Sequence, residues 1–67
     1  MKYQVVIQYS EEDDGYIATV PALEGCSAFG ETYEAAAHEI TVAMKLWLES
    51  AKANSKPIPE PDVVVAS

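Results

Sequence analysis

Asp14-Gly15-Tyr16-Ile17-Ala18-Thr19-Val20-Pro21-Ala22-Leu23-Glu24-Gly25-Cys26-Ser27-Ala28-Phe29-Gly30-Glu31-Thr32 packs a hairpin exit, a strand, a proline stop, a glycine turn, a short strand and a helix start into one run. Asp-Gly offers a residue tolerant of positive φ, so the chain can reverse and leave a hairpin. Tyr16 to Val20 is rich in β-branched and aromatic residues and reads as a returning strand. Pro21 ends it, because proline has no N–H to give a ladder. Leu23 is a single apolar anchor in the next turn, and Gly25 is placed to take a backbone conformation closed to other residues. Cys26 to Phe29 is long enough for a third short strand, which Gly30 breaks. Thr32 is a good N-cap, since its hydroxyl can accept from an orphan N–H of a first helical turn.

Upstream, residues 2–9 alternate with period two. Tyr3, Val5, Ile7 and Tyr9 fall on one face, predicted to be the core face, with Lys2, Gln4, Val6 and Gln8 on the other. Between this strand and the next lie Ser10 and the carboxylates Glu11, Glu12, Asp13 and Asp14, which repel one another and belong in a solvated turn.

Downstream, the pattern predicts a helix from about Tyr33 to Ala53, roughly 30 Å long. The segment is alanine-rich and free of Gly and Pro. Glu34 sits at the positive end of its dipole. Residue 35 is alanine, so the reciprocal capping box is absent. At about 100° per residue, Tyr33, Ala36, Ala37, Ile40, Ala43, Met44, Trp47 and Ala51 share one stripe centred on Ile40. That stripe is the predicted core face, with small residues at the start allowing close approach to a sheet. Ala35, Val42, Leu46 and Ala53 form a second apolar stripe on the far side. It is either a pair of tolerated exposed apolar residues with alanines, or a surface for a partner or the tail. Asn54-Ser55 ends the helix, and residues 54–62 form a Pro-rich extended segment whose spacing does not match an SH3 ligand. Val63, Val64 and Val65 read as a short last strand, open to pairing with strand one or with another chain. The order is strand, strand, strand, helix, strand: an α+β fold with a three-stranded antiparallel meander and one long helix on one face.

Length and charge bound the function. The chain has 67 residues, so the whole of 1–67 is one domain, and a single cysteine rules out an internal disulfide. So small a domain gains little surplus stability from its core, which makes oligomerisation a plausible support. Eleven acidic residues against four basic ones give a net charge of −7. That disfavours direct DNA or RNA binding and suits a basic partner, or simply keeps a small protein in solution. No export signal and no membrane-spanning run are apparent, and with a free thiol this fits a cytoplasmic protein.

No active site is legible. Four neighbouring carboxylates in a turn point in different directions, whereas a magnesium site needs them to converge on a rigid scaffold. Cys26 would need a base to act as a nucleophile. His38, the one histidine, falls on the outward side of the helix at about 160° from Ile40, so the two are not expected to meet. Trp47 reads as core. No catalytic residue, metal or cofactor is expected.

Asp14 to Pro21, Leu23-Glu24-Gly25-Cys26, Gly30-Glu31-Thr32, the alanine-rich helix through Trp47 and Leu48, and Ile58 to Pro61 together resemble the HicB-like antitoxin family. No single element is specific; the ordered set carries the resemblance, over nearly the whole chain. It implies a partial RNase H-like fold without the enzyme's carboxylate set. It also implies a partner, HicA, which is a small basic ribonuclease with a double-stranded-RNA-binding-like fold. The antitoxin covers that toxin's catalytic surface and blocks mRNA cleavage. The acidic turn Glu11, Glu12, Asp13 and Asp14 and the outward helix residues His38, Val42 and Leu46 are the contact candidates. Val63, Val64 and Val65 are the candidate oligomer edge. Many family members carry a C-terminal DNA-binding domain; this chain reads as a short form without one. Its helix start, Thr-Tyr-Glu-Ala, also lacks the family's usual glutamate at the fourth place. The alternative to an antitoxin is a non-enzymatic, homo-oligomeric interaction module serving a different protein.

Overall fold

The computed structural model describes residues 3–59. Three strands, β1 (Val6–Ser10), β2 (Gly15–Thr19) and β3 (Ser27–Gly30), precede one helix, α1 (Tyr33–Ala53). The sheet order is β1-β2-β3 with both pairings antiparallel. This is the expected meander with a long helix, and the helix has the expected bounds. The last strand, Val63 to Val65, lies outside the described residues.

Residues paired across an antiparallel sheet share a face, and successive residues alternate. Ile7 pairs with Ala18 and Ala18 with Ala28, so this rank faces the helix. Tyr9, Tyr16 and Gly30 form the next rank on the same face. The other face carries Gln8, Ile17 and Phe29 in one rank and Val6, Thr19 and Ser27 in the next.

The core lies between the first face and α1. Ala18, Val20, Leu23 and Cys26 from the sheet side meet Ala36, Ile40 and Met44 from the helix, all buried. Tyr3, Val5, Ile7, Tyr16, Ala28, Ala43, Trp47 and Leu48 pack around them. The helix rests chiefly on β3 and β2 and only touches β1.

Two predicted core residues lie elsewhere. Tyr9 is 52 % exposed and Tyr33 is 55 % exposed. Both stand at the end of the core where the hairpin turns and the helix begins. There they stack edge-on against Tyr16, Tyr9 at 5.5 Å and Tyr33 at 6.1 Å between ring centroids. The hydrophobic period placed them on the correct face, but the core runs out before it reaches them.

Gly30 is a point of very close approach between sheet and helix. A Cβ there would stand 2.2 Å from the Ala36 backbone nitrogen and 2.6 Å from the Ala35 carbonyl carbon. The last residue of β3 thus lies directly against helix backbone, and only a residue without a side chain fits. It does not break the strand, as expected from sequence; it is part of it and pairs with Tyr16.

The turn between β2 and β3 closes on Leu23, which is fully buried. Val20 N–H donates to the Cys26 carbonyl at 3.1 Å, Leu23 N–H to Val20 at 3.0 Å, and Cys26 N–H to Leu23 at 2.9 Å. Gly25 takes φ +80, which glycine alone adopts at little cost. Trp47 Nε1–H donates to the Glu24 carbonyl at 2.9 Å, tying the helix to this turn.

Both helix ends are capped. Thr32 Oγ1 accepts from Ala35 N–H at 3.0 Å, as its position predicted. At the other end Ser55 N–H donates to Lys52 and Lys56 N–H to Ala51, the paired bonds of a Schellman motif. Ser55 holds φ +55, where glycine is the usual occupant. The chain then runs through Lys56 to Pro59, and the Tyr3 hydroxyl donates to the Pro59 carbonyl.

The tight seat at Gly30 makes a prediction. Gly30→Ala should destabilise the protein by about 2–3 kcal/mol, because the clash is with helix backbone rather than a movable side chain. A urea unfolding curve measures it. A midpoint unchanged from wild type would contradict the seating.

Candidate functional site: the acidic hairpin end

The β1–β2 hairpin turns through Glu11, Glu12, Asp13 and Asp14, all exposed. Asp14 N–H donates weakly to the Glu11 carbonyl at 3.4 Å. Ser10 Oγ–H donates to Asp13 Oδ2 at 3.0 Å, and the Tyr9 hydroxyl donates to Asp14 Oδ1 at 3.0 Å. Two of the four carboxylates are therefore held by neighbours of the same hairpin.

The positive φ of the turn falls on Asp14, at +48, and not on the glycine after it. Aspartate tolerates this region better than most residues with a side chain. Gly15 has a different reason to be glycine. A Cβ there would meet the Phe29 ring at 2.4 Å and the Gly30 carbonyl at 2.9 Å. The Phe29 ring occupies the space a Gly15 side chain would need, on the sheet face away from the helix.

That contact joins the acidic turn to the outer sheet face. Asp13, Asp14, Phe29 and Glu31 line one open notch. Among the described residues, no three His, Cys, Asp or Glu side chains come together as a metal site. The notch presents negative charge beside an aromatic ring without gathering the carboxylates around a point.

The other sequence candidates lie elsewhere. His38, Val42 and Leu46 are all exposed on the helix, with Val42 at 41 % and Leu46 at 60 %. They are on the side turned away from the sheet, as the second apolar stripe predicted. The structure does not bring them together with the notch. Cys26 is buried, and burial raises its thiol pKa, the wrong direction for a nucleophile. Val63, Val64 and Val65 lie outside the described residues.

Phe29, Glu31 and Tyr9 are the members of this end that sequence reasoning did not assign to a surface. By pattern alone Phe29 is the close of the third strand. The signal that could have found it was its parity: it stands one residue from Ala28, a core-facing position, and so faces outward.

The comparisons with known proteins agree with this frame. Residues 3–66 match the family model described as the HicB-like antitoxin of bacterial toxin–antitoxin systems. The chain is 41 % identical over 63 residues to the UPF0150 protein ssr1765 of Synechocystis sp., covering 94 % of this chain and 78 % of that one. It is 38 % identical over 66 residues to the UPF0150 protein ssl0259 of the same organism, covering 98 % and 89 %. It is 41 % identical over 59 residues to the UPF0150 protein Ta0767 of Thermoplasma acidophilum, covering 88 % and 84 %. No solved structure matches it. The chain belongs to the HicB-like antitoxin family. Among the described residues, no helix is long and apolar enough to cross a membrane.

The hydrogen bond to Asp14 raises the Tyr9 pKa above its usual value, with smaller contributions from desolvation and from Tyr16. The sign follows from charge: ionised Tyr9 would set a phenolate against a carboxylate that accepts a hydrogen bond from the neutral hydroxyl. Asp14→Asn removes that charge and keeps a residue suited to positive φ. The Tyr9 ring should then titrate at lower pH than in the wild type, as read by NMR of the ring carbons. Identical titration curves would mean that the Tyr9–Asp14 bond is not held in solution.

Proposed function

We propose that this protein is an antitoxin that binds and neutralises a small, basic HicA-type ribonuclease. The observation that carries the reading is the family match over residues 3–66. The charge supports it. From Glu11 to Glu34 every charged residue is acidic, while Lys45, Lys52 and Lys56 lie on the second half of the helix or just beyond it. A basic protein approaching this chain is drawn to the hairpin end.

In this reading the protein performs no chemistry of its own and acts in the cytoplasm, where its target's mRNA substrate is. It works by occupying the toxin. The acidic turn Glu11, Glu12, Asp13 and Asp14 steers the encounter and supplies charge-paired contacts. His38, Val42 and Leu46, exposed on the outer helix, are the alternative docking surface for the same partner. Direct binding of nucleic acid is not part of the reading, since the phosphate backbone and the hairpin end carry the same sign.

A second reading has one observation in its favour. Leu46 and Val42 stand uncovered on the outer helix. They would suit a homo-oligomeric interaction module with a different protein partner, and Val63, Val64 and Val65 would add an oligomer edge.

A ribonuclease assay separates the two. Purified HicA-type toxin should lose RNA cleavage on addition of equimolar protein, and the inhibition should weaken as salt is raised. Equal cleavage with and without the protein would remove the antitoxin reading for that toxin.

A further inference from the structure

Among the described residues, the two-layer packing leaves two apolar surfaces wholly or partly exposed, and they point in opposite directions. One is the outer helix, where Val42 and Leu46 share their turn with Lys45. The other is the open face of the sheet: Val6, Ile17 and Phe29, with Gln8, Thr19 and Ser27 between them. None of those six side chains is charged, in a chain whose net charge is −7. At one end this face runs into the notch of Asp13, Asp14 and Glu31, and Phe29 belongs to both.

We propose that the open face of the sheet, rather than the outer helix, is where the basic partner docks. Phe29 is the anchor, and an arginine or lysine of the partner enters the notch of Asp13, Asp14 and Glu31. This deepens the antitoxin reading and rests on it.

Four physical features favour that surface. Phe29 is 44 % exposed yet seated on the Gly15 backbone, so its ring is already ordered and loses little freedom on binding. Aromatic side chains held in this way are the common anchors of interfaces. A cation in the notch would meet carboxylates and the Phe29 π-system together. The centre of the face is free of charge, so covering it strips water from no ionised group, while the acidic rim supplies steering.

A second copy of this chain is a poor occupant. The three-strand face spans roughly 17 by 14 Å, or roughly 240 Å², against about 800 Å² per partner in a stable interface. Any occupant must therefore extend onto the acidic hairpin. A copy of the same sign is repelled there, and a cationic protein is attracted.

The test measures the affinity of a catalytically inactive HicA-type toxin for the wild type and three variants by calorimetry. Circular dichroism melts confirm that each variant folds. Phe29→Ala should weaken binding at least tenfold. The combined Asp13→Asn, Asp14→Asn, Glu31→Gln variant, which leaves the apolar face intact, should weaken it about tenfold at low salt and flatten its salt dependence. The combined Val42→Ser, Leu46→Ser variant should stay within about threefold of wild type. If the helix variant loses tenfold and the two sheet-side variants do not, the docking surface is wrong while the antitoxin reading stands. If wild type fails to bind the toxin at all, both fall.

Discussion

The fold depends on one contact: helix α1 lies with its backbone directly on the last residue of β3. Gly30 leaves no side chain between them. The small residues Ala36 and Ala37 at the helix start let the two backbones meet, and Thr32 fixes where the helix begins. Further along the helix, Ile40 and Met44 are buried in the core and Trp47 packs against it. The far end is then tied down by Trp47 on the Glu24 carbonyl and by the Schellman turn at Ser55. With few core residues and no disulfide, the chain relies on such backbone-level fits to hold a single arrangement.

The same seating governs the surface. Gly15 and Gly30 are neighbours at one end of the sheet, each with its own occupant: Phe29 on the outer face and the helix on the inner. The hairpin turn, Phe29 and the helix start are thereby gathered into one end of the molecule. Tyr9 and Tyr33 each pack edge to face with Tyr16 across it. The carboxylates of the turn consequently project from a fixed platform, and the described lysines are all at or beyond the second half of the helix. An interface built here offers rigid aromatic surface and negative charge side by side, which is what a small cationic protein can use.

Much of the architecture was legible in the residues. Period two up to Gln8, Pro21 and Gly25 as punctuation, the Thr32 cap and the centre of the Ile40 stripe are local signals that match the structure, whereas residues 3–5 precede β1 rather than belong to it and Tyr9 and Tyr33 fall outside the core. Glycine chemistry was harder to read. Sequence alone suggests that Asp-Gly at the hairpin uses glycine for a positive φ, but Asp14 takes that conformation and Gly15 makes room for a ring fourteen positions downstream. Gly30 likewise reads as a strand breaker until the helix is seen lying on it. Close approaches between distant segments leave no periodic trace, so they are invisible to pattern reading. The candidate site follows the same division. The acidic turn stands out as a run of charge, whereas Phe29 and Glu31 join it only through strand register and the turn before the helix. His38, Val42 and Leu46 were correctly placed on the outward helix face, but periodicity could not say that this face points away from the acidic end's aromatic platform.

Docking of a partner on the acidic end can be read by amide hydrogen exchange with and without saturating HicA-type toxin. Added protection is expected along Glu11 to Ile17 and Ser27 to Glu31, with Val42 to Leu46 exchanging as in the free protein. Protection confined to Val42 to Leu46, with the hairpin and β3 unchanged, would contradict it.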